Sequence, residues 1–301
     1  MILREGKRQE LDVLYKVIFD EVHDLEQSRE FSFLNNTQKS FNRQWEQYPS
    51  GQYLLSDQWF KENLTRILSE EELLIDPAWF KGKTVLDAGC GNGRWSYGFC
   101  QLGAKVTSVD VNASAINSAR DATNELDNRP SFINSSLESL NEVLTNEQYD
   151  LVFSWGVLHH CVSYNKALKN VCEKVGEGGV LYLHLYGRES MTIEEDLSLF
   201  KKRLLYNTLL SDQEKYQFLL NEANGDKNRV HNLHDNYAPL INRRLNYEDV
   251  ERDLIDLGFS NVTRTIDHSE LFVRAFKGSF SSEDALLASK DAPYWFQHHK
   301  N

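Results

Sequence analysis

The stretch Thr84–Trp95, TVLDAGCGNGRW, constrains this chain more than any other. An apolar run ends in an acid, Asp87, and glycines follow at every second position, Gly89, Gly91 and Gly93, before an amphipathic segment opens at Arg94. Glycine lets a backbone turn tightly and pass close to a ligand, and the start of the next helix offers unpaired N–H groups. A strand handed to a helix through such a turn is the first unit of an α/β sheet. The spacing is not that of the usual phosphate loops. The third glycine of a dinucleotide fingerprint would fall at Arg94, and no GK[ST] ending is present. Asp87, two residues ahead of the first glycine, would repel a pyrophosphate and instead suits a ligand with a positive end.

From position 83 short β-rich runs alternate with helical ones. KTVLDAG, AKVTSVDV, PSFINS, YDLVFSWGV and GGVLYLHLY read as strands, five by Tyr186. RWSYGFCQLG, ASAINSARDATNEL and NKALKNVCEKVG read as helices between them, with a short helix or turn after PSFINS. This alternation predicts right-handed βαβ units and a parallel sheet covered on both faces. Residues 188–245 break the rhythm and read as a charged, helical insert over one end of the sheet. Helix YEDVERDLIDLG and strands NVTRTI and ELFVRAFK then return to it. Ahead of the sheet, Leu11, Leu14, Ile18, Val22 and Leu25 make one apolar stripe on a helix over 8–28. That stripe suits packing on its own domain, a homodimer contact or a cover over a ligand site. An aromatic, amide-rich segment follows, and then a helix through DQWFKENLTRIL with Ser56 as N-cap. The expected organisation is an N-terminal helical extension over 1–80, an α/β domain over 81–277 carrying the insert 188–245, and a tail over 278–301 whose PYWF aromatics dock back on the body.

The net charge of −12 weighs against a polyanionic partner, because nucleic-acid binding draws on Lys and Arg. No run approaches the roughly 20 apolar residues of a membrane helix, and the start MILREGKRQELDVLYKVIFDE lacks a signal peptide's apolar core. Cys90, Cys100, Cys161 and Cys172 form no CxxC pair and read as reduced thiols. A cytoplasmic protein with no DNA and no membrane partner is expected.

VLDAGCGNG, with the order of segments after it, resembles the first motif of class I S-adenosylmethionine-dependent methyltransferases of the small-molecule type. The resemblance covers 80–190 closely and 245–277 in outline. It implies a Rossmann-like, seven-stranded, mostly parallel sheet with helices on both faces, and S-adenosylmethionine as cofactor. It also implies Asp87 near the ligand's methionine amino group, with Gly89, Gly91 and Gly93 passing under the adenosyl moiety. Asp110, which ends VTSVD 17 residues after Gly93, can accept hydrogen bonds from vicinal ribose hydroxyls, and Val111 suits the adenine face. The third motif departs from the family: FINSSLESL has Ser135 and Ser136 where many relatives have Gly-Asp, which leaves Ser136 and Leu137 as adenine-edge contacts. Ser154 and Trp155, ending strand four, should border the donor.

No [DNS]PP[YF] tetrapeptide is present, which together with the charge argues against methylation of nucleic-acid bases. A neutral imidazole can take a hydroxyl proton, so His159 and His160 invite an acid–base role, His160 above all. The insert segment HNLHDNYAPLINRR, residues 231–244, carries the expected acceptor side. There His234 is the expected general base with Asp235 near it, or Tyr237 orients the acceptor, and Arg243 or Arg244 holds a substrate carboxylate or phosphate. Tyr186 and Arg188, at the exit of strand five, face the same edge. His231 and His234 are three apart, but Asp235 alone is a thin third ligand, so no metal is expected. The expected activity is methyl transfer to a small-molecule metabolite, sugar-like or carboxylate-bearing, with oxygen favoured. Methylation of a macromolecule, RNA or protein, and a non-catalytic cofactor-binding partner subunit are the alternatives.

Overall fold

Among the described residues, strands β1 (Thr84–Ala88), β2 (Lys105–Asp110), β3 (Ser131–Asn134), β4 (Tyr149–Trp155), β5 (Val175–Leu185), β6 (Phe259–Arg264) and β7 (Leu271–Lys277) form one sheet in the order β3-β2-β1-β4-β5-β7-β6. All neighbours run parallel except β7, which is antiparallel to both β5 and β6. This is the Rossmann-like sheet expected from the sequence. The structure, a computed structural model, describes residues 33–48, 53–189, 191–280, 282–288 and Trp295. The helix expected over 8–28, and with it the dimer contact, lies outside those residues.

Strand alternation explains why the central strands are apolar almost throughout. Side chains point to opposite faces in turn, and both faces are covered. Val85, Leu151, Phe153, Val180 and Tyr182 face one buried cluster; Leu86, Val152, Leu181 and Leu183 face the other. The first cluster is walled by α2 (Gln58–Arg66) and α3 (Arg94–Gln101), which bring Phe60, Leu64, Trp95 and Phe99. The amide-rich segment ahead of α2 folds as α1 (Phe33–Gln47). α2 begins one residue later than expected. Asp57, not Ser56, is its N-cap, accepting the Phe60 N–H at 3.3 Å. The helix runs on as a π-helical stretch, Ile67–Leu73, that ends at left-handed Leu74.

Helices α4 (Ala113–Ala122), α5 (Leu140–Val143) and α6 (Tyr164–Glu173) complete the βα rhythm; α6 packs Ala167, Leu168 and Val171 into the second cluster. The insert is helical as expected, with α7 (Ile193–Thr208), α8 (Asp212–Glu222) and α9 (Val230–Tyr237) around a small core of Tyr206, Leu219 and Val230. α10 (Tyr247–Asp256) leads back to β6. In the tail, Trp295 is fully buried against Tyr53, Phe60 and Trp95, and its Nε1–H donates to Glu72 at 2.6 Å.

Candidate active site

A cavity of about 400 Å³ opens at the C-terminal edge of β1, β4 and β5. Strand order reverses between β1 and β4, the place where open α/β sheets collect ligands. One half is built by the glycine turn. Gly89 has φ +96°, and a Cβ there would stand 2.3 Å from Val157 Cγ2, so only glycine lets the backbone lie this close to the wall. Gly91 is also on the wall, under Trp45 of α1. Gly93 is not on it. It is the left-handed N-cap of α3, packed so that a Cβ would meet that of Ala119 at 2.8 Å.

Asp110, at the end of β2, accepts the Gly91 N–H on Oδ2 and the Asn112 N–H on Oδ1, both at 2.8 Å. Burial pushes its pKa up and these donors act against that rise. The carboxylate is thus tied to the turn, and it lines the cavity with Val111 beside it. Asp87 departs from the expected direct contact. It is fully buried beneath the turn, off the cavity wall, and Ser96 donates to its Oδ2 at 2.5 Å. Its Oδ1 has no hydrogen-bond partner among the described residues, and burial raises the carboxyl pKa to about 7.

Ser136 and Leu137 line the cavity. The Ser136 hydroxyl is already engaged, donating to Glu138 Oε2 at 2.9 Å and accepting the Glu138 N–H at 3.2 Å. Ser154 does not border the cavity: its Oγ donates to the Ala88 carbonyl at 2.8 Å, because alternation along β4 turns it away from the face Trp155 occupies. Trp155 is on the wall, stacked on His184 with ring centroids 4.0 Å apart.

The other half is walled by α1, α9, the exits of β4 and β5 and the entry to β7. On α9, His231 and Asp235 are one turn apart and face the cavity. His234 and Tyr237 lie on the other side of that helix, which overturns two expected roles. His234 is fully buried between Tyr48 and Tyr206, with ring centroids at 5.4 and 5.8 Å, and neither ring nitrogen has a hydrogen bond among the described residues. Tyr237 donates to Glu222 at 3.1 Å within the insert. Burial holds the His234 pKa near 3, against an ordinary value of 6.5. Between those values the unfolded chain binds a proton that the folded chain refuses. Its contribution to stability is therefore complete above about pH 6.5 and lost as pH falls toward 3. Urea titrations should show stability falling below pH 6.5, and His234→Phe should flatten part of that fall; identical pH profiles for the two proteins would refute the assignment.

His160 lines the cavity with Nδ1 2.7 Å from the Ile241 carbonyl. A carbonyl only accepts, so Nδ1 carries the proton and Nε2 keeps its lone pair, 3.8 Å from Asp235 Oδ1. Burial lowers the His160 pKa. His159 is fully buried off the wall, stacked on Tyr186 at 3.9 Å. Tyr186 is on the wall and donates its phenol proton to Asp235 Oδ2.

The arginines expected at the substrate, Arg243 or Arg244 on an anion and Arg188 at the same edge, are elsewhere. Arg188 pairs with Asp196 of α7 at 3.7 Å. Arg243 donates to the carbonyls of Cys161 and Val162. Arg244 donates to the Gly187 carbonyl at 3.1 Å, behind the Tyr186 ring. Free carbonyls at strand and loop ends attract guanidinium donors, and these arginines fasten the returning insert to the sheet edge.

Several wall residues escaped sequence reasoning: Phe41 and Trp45 of α1, Glu138, and the pair His184 and Glu270. Phe41 and Trp45 are four apart, a helical signal within the amide-rich segment. Alternation from buried Tyr182 places His184 and Tyr186 on one face of the β5 exit, a signal as plain as the one that picked out Tyr186.

A family model described as a methyltransferase domain matches residues 80–236. The mitochondrial ubiquinone biosynthesis O-methyltransferase of Schizosaccharomyces pombe is 32% identical over 170 residues, 54% of this chain and 60% of that protein. The ubiquinone biosynthesis O-methyltransferase of Coxiella burnetii is 32% identical over 110 residues, 36% of this chain and 45% of that protein. The chain thus spans less than two thirds of the length of these relatives. A crystal structure of magnesium protoporphyrin IX methyltransferase from Synechocystis with bound S-adenosylmethionine shares the fold, with TM-score 0.50 at 18% identity over 82% of this chain and 98% of that one.

Proposed function

The chain belongs to the methyltransferase-domain family, and on that premise we propose that it transfers the methyl group of S-adenosylmethionine to an oxygen of a small-molecule acceptor. The observation that carries this reading is Asp110. Its carboxylate is oriented by two backbone N–H groups beside a glycine turn, at the switch point of the sheet.

The residues present fit the cofactor. Asp110 has acceptor capacity left for ribose hydroxyls, and Val111 and Leu137 offer apolar surface for a base. The unpartnered Asp87 Oδ1 beneath the turn favours positive charge above it. The aromatic face of Trp45 suits a cation as well. S-adenosylmethionine supplies a methyl group already activated on a sulfonium, so holding an acceptor in line with it accounts for much of the rate. The chain's own part is to close the cavity with Phe41 and Trp45, to orient the acceptor with Tyr186 and Asp235, and to keep the adjoining imidazoles neutral. Burial lowers the pKa of His160, and takes that of His231 to about 4.

The named relatives that methylate oxygen favour oxygen as the accepting atom. No helix among the described residues is long and apolar enough to cross a membrane, and a cytoplasmic location with a small-molecule partner and no DNA is part of the same proposal. Calorimetry with S-adenosylhomocysteine tests the cofactor. Wild type should bind, and Asp110→Ala, which removes a charged hydrogen-bond acceptor, should bind about 100-fold more weakly. Methyl-labelled S-adenosylmethionine with a size-fractionated cell extract tests the acceptor, with label expected in the small-metabolite fraction. Label confined to macromolecules would replace this reading with its macromolecular alternative.

A further inference from the structure

We propose that His184, held by Glu270, takes the proton from the acceptor hydroxyl. The proposal rests on the methyl-transfer reading and adds the group that makes the oxygen a nucleophile. His184 is the next residue after Tyr182 on the same face of β5, and it pairs across to Phe272 of β7. Glu270 stands two residues before Phe272, so the antiparallel pairing of β5 with β7 brings the two side chains together at the sheet's C-terminal edge. Both line the cavity.

The tautomer follows from the partners. His184 Nε2 is 2.8 Å from Glu270 Oε2. The Glu270 carboxylate is kept ionised. Burial raises its pKa, but the hydrogen bond from His184 and the nearby Arg244 charge act against burial, and it lies below the ordinary value. An ionised carboxylate only accepts, so Nε2 carries the hydrogen and Nδ1 keeps its lone pair. Nδ1 is buried, and it has no hydrogen-bond partner among the described residues. Gly156, also on the cavity wall, has no side chain to cover it; a Cβ there would come within 3.8 Å of Nδ1. The ring is fixed by Trp155 at 4.0 Å on one side and Phe272 at 4.6 Å on another. A buried nitrogen lone pair with its ring locked and its far side on a carboxylate is the arrangement of a general base.

His160 also offers a lone pair, but its far nitrogen rests on a neutral carbonyl, and the nearby Asp235 is engaged by Tyr186. An imidazolium formed at His184 meets a full negative charge in contact. In the step, the acceptor O–H bond breaks and its proton passes to Nδ1. The oxygen's electron pair forms the bond to the methyl carbon, and the carbon–sulfur pair stays on the donor's sulfur, which becomes neutral. The imidazolium–carboxylate pair gives up the proton to solvent once product has left.

Two measurements on the full chain test this. The first needs no turnover. Two-bond nitrogen–proton spectra of ¹⁵N-histidine protein at pH 7.5, with the His184 signal assigned by its loss in His184→Gln, should show a neutral ring protonated on Nε2. Glu270→Gln should keep that tautomer; the other groups around the pair, Arg244, His159 and His268, are unchanged by it. A ring protonated on Nδ1, or on both nitrogens, overturns the proposal. The second is label transfer from methyl-labelled S-adenosylmethionine to the small-metabolite fraction. His184→Gln should transfer about 100-fold more slowly with S-adenosylhomocysteine affinity nearly unchanged, Glu270→Gln should be intermediate, and Glu270→Asp should recover part of the loss. Undiminished transfer by His184→Gln, or a loss matched by an equal loss of affinity, also overturns it. Failure of wild type to bind S-adenosylhomocysteine would defeat the methyltransferase reading instead.

Discussion

Gly89→Ala should weaken S-adenosylhomocysteine binding by roughly 100-fold or more, two powers of ten being about 2.8 kcal/mol. Gly89 holds φ +96°, where an L-residue is strained, and its new Cβ would stand 2.3, 2.7 and 2.9 Å from three carbons of Val157. Val157 is itself on the cavity wall, and the Gly89 N–H is bonded to the Val109 carbonyl at 2.8 Å. Relief of the clash must therefore shift the turn or Val157, and a shifted turn disturbs the Gly91 amide that Asp110 Oδ2 holds. Gly82→Ala is the control. Its φ of +77° carries similar backbone strain, but a Cβ there meets nothing within 4 Å. It should cost about 1 kcal/mol of stability and leave affinity alone. Calorimetry and urea unfolding on both variants separate the two effects; equal affinities would show that the turn is not shaped for a ligand.

Trp295→Ala should destabilise the protein by about 3–5 kcal/mol, the cost of emptying a buried aromatic site. The indole is fully buried among Tyr53, Phe60 and Trp95, and its N–H is the donor to Glu72 Oε1. Glu72 is itself fully buried in the π-helical stretch, and its Oε2 accepts from Tyr182 and, at 3.3 Å, from Trp155. Removing the indole takes a donor from a buried carboxylate as well as opening a cavity. Trp295→Phe restores much of the packing and loses only that hydrogen bond, about 1.5–3 kcal/mol for a charged acceptor. Urea midpoints of the two variants order these losses. A loss below about 1 kcal/mol in Trp295→Ala would mean that the tail segment is not part of the core. Because Glu72 also holds Trp155, the alanine variant should weaken cofactor binding even where it remains folded.

The sheet was legible because burial on both faces writes itself as unbroken apolar runs, as in LVFSW and VLYLHL. The glycine turn and Asp110 were legible because their requirements are local: positive φ, close approach, an acid at a strand end. Ser154 and Gly93 were misplaced by one residue of strand alternation and by one step of a turn. His234 was misplaced by helix rotation. A segment reading HNLHDNY is compatible with either face inward, and the packing of Tyr48 and Tyr206 selected His231 and Asp235 for the cavity. The arginines followed the same logic, since a guanidinium goes to the free carbonyls within its reach, and the fold decides which those are.

The sequence alone therefore determined the parallel sheet, the ligand-binding turn and the cofactor end, all of which depend on neighbours within a few residues along the chain. Only the tertiary structure decided the acceptor end. His184 meets Glu270 86 residues away, and His160 meets Ile241 81 residues away. Contacts of that separation are set by how the insert packs over the sheet edge and how β7 pairs with β5, and no local pattern of residue types encodes that geometry.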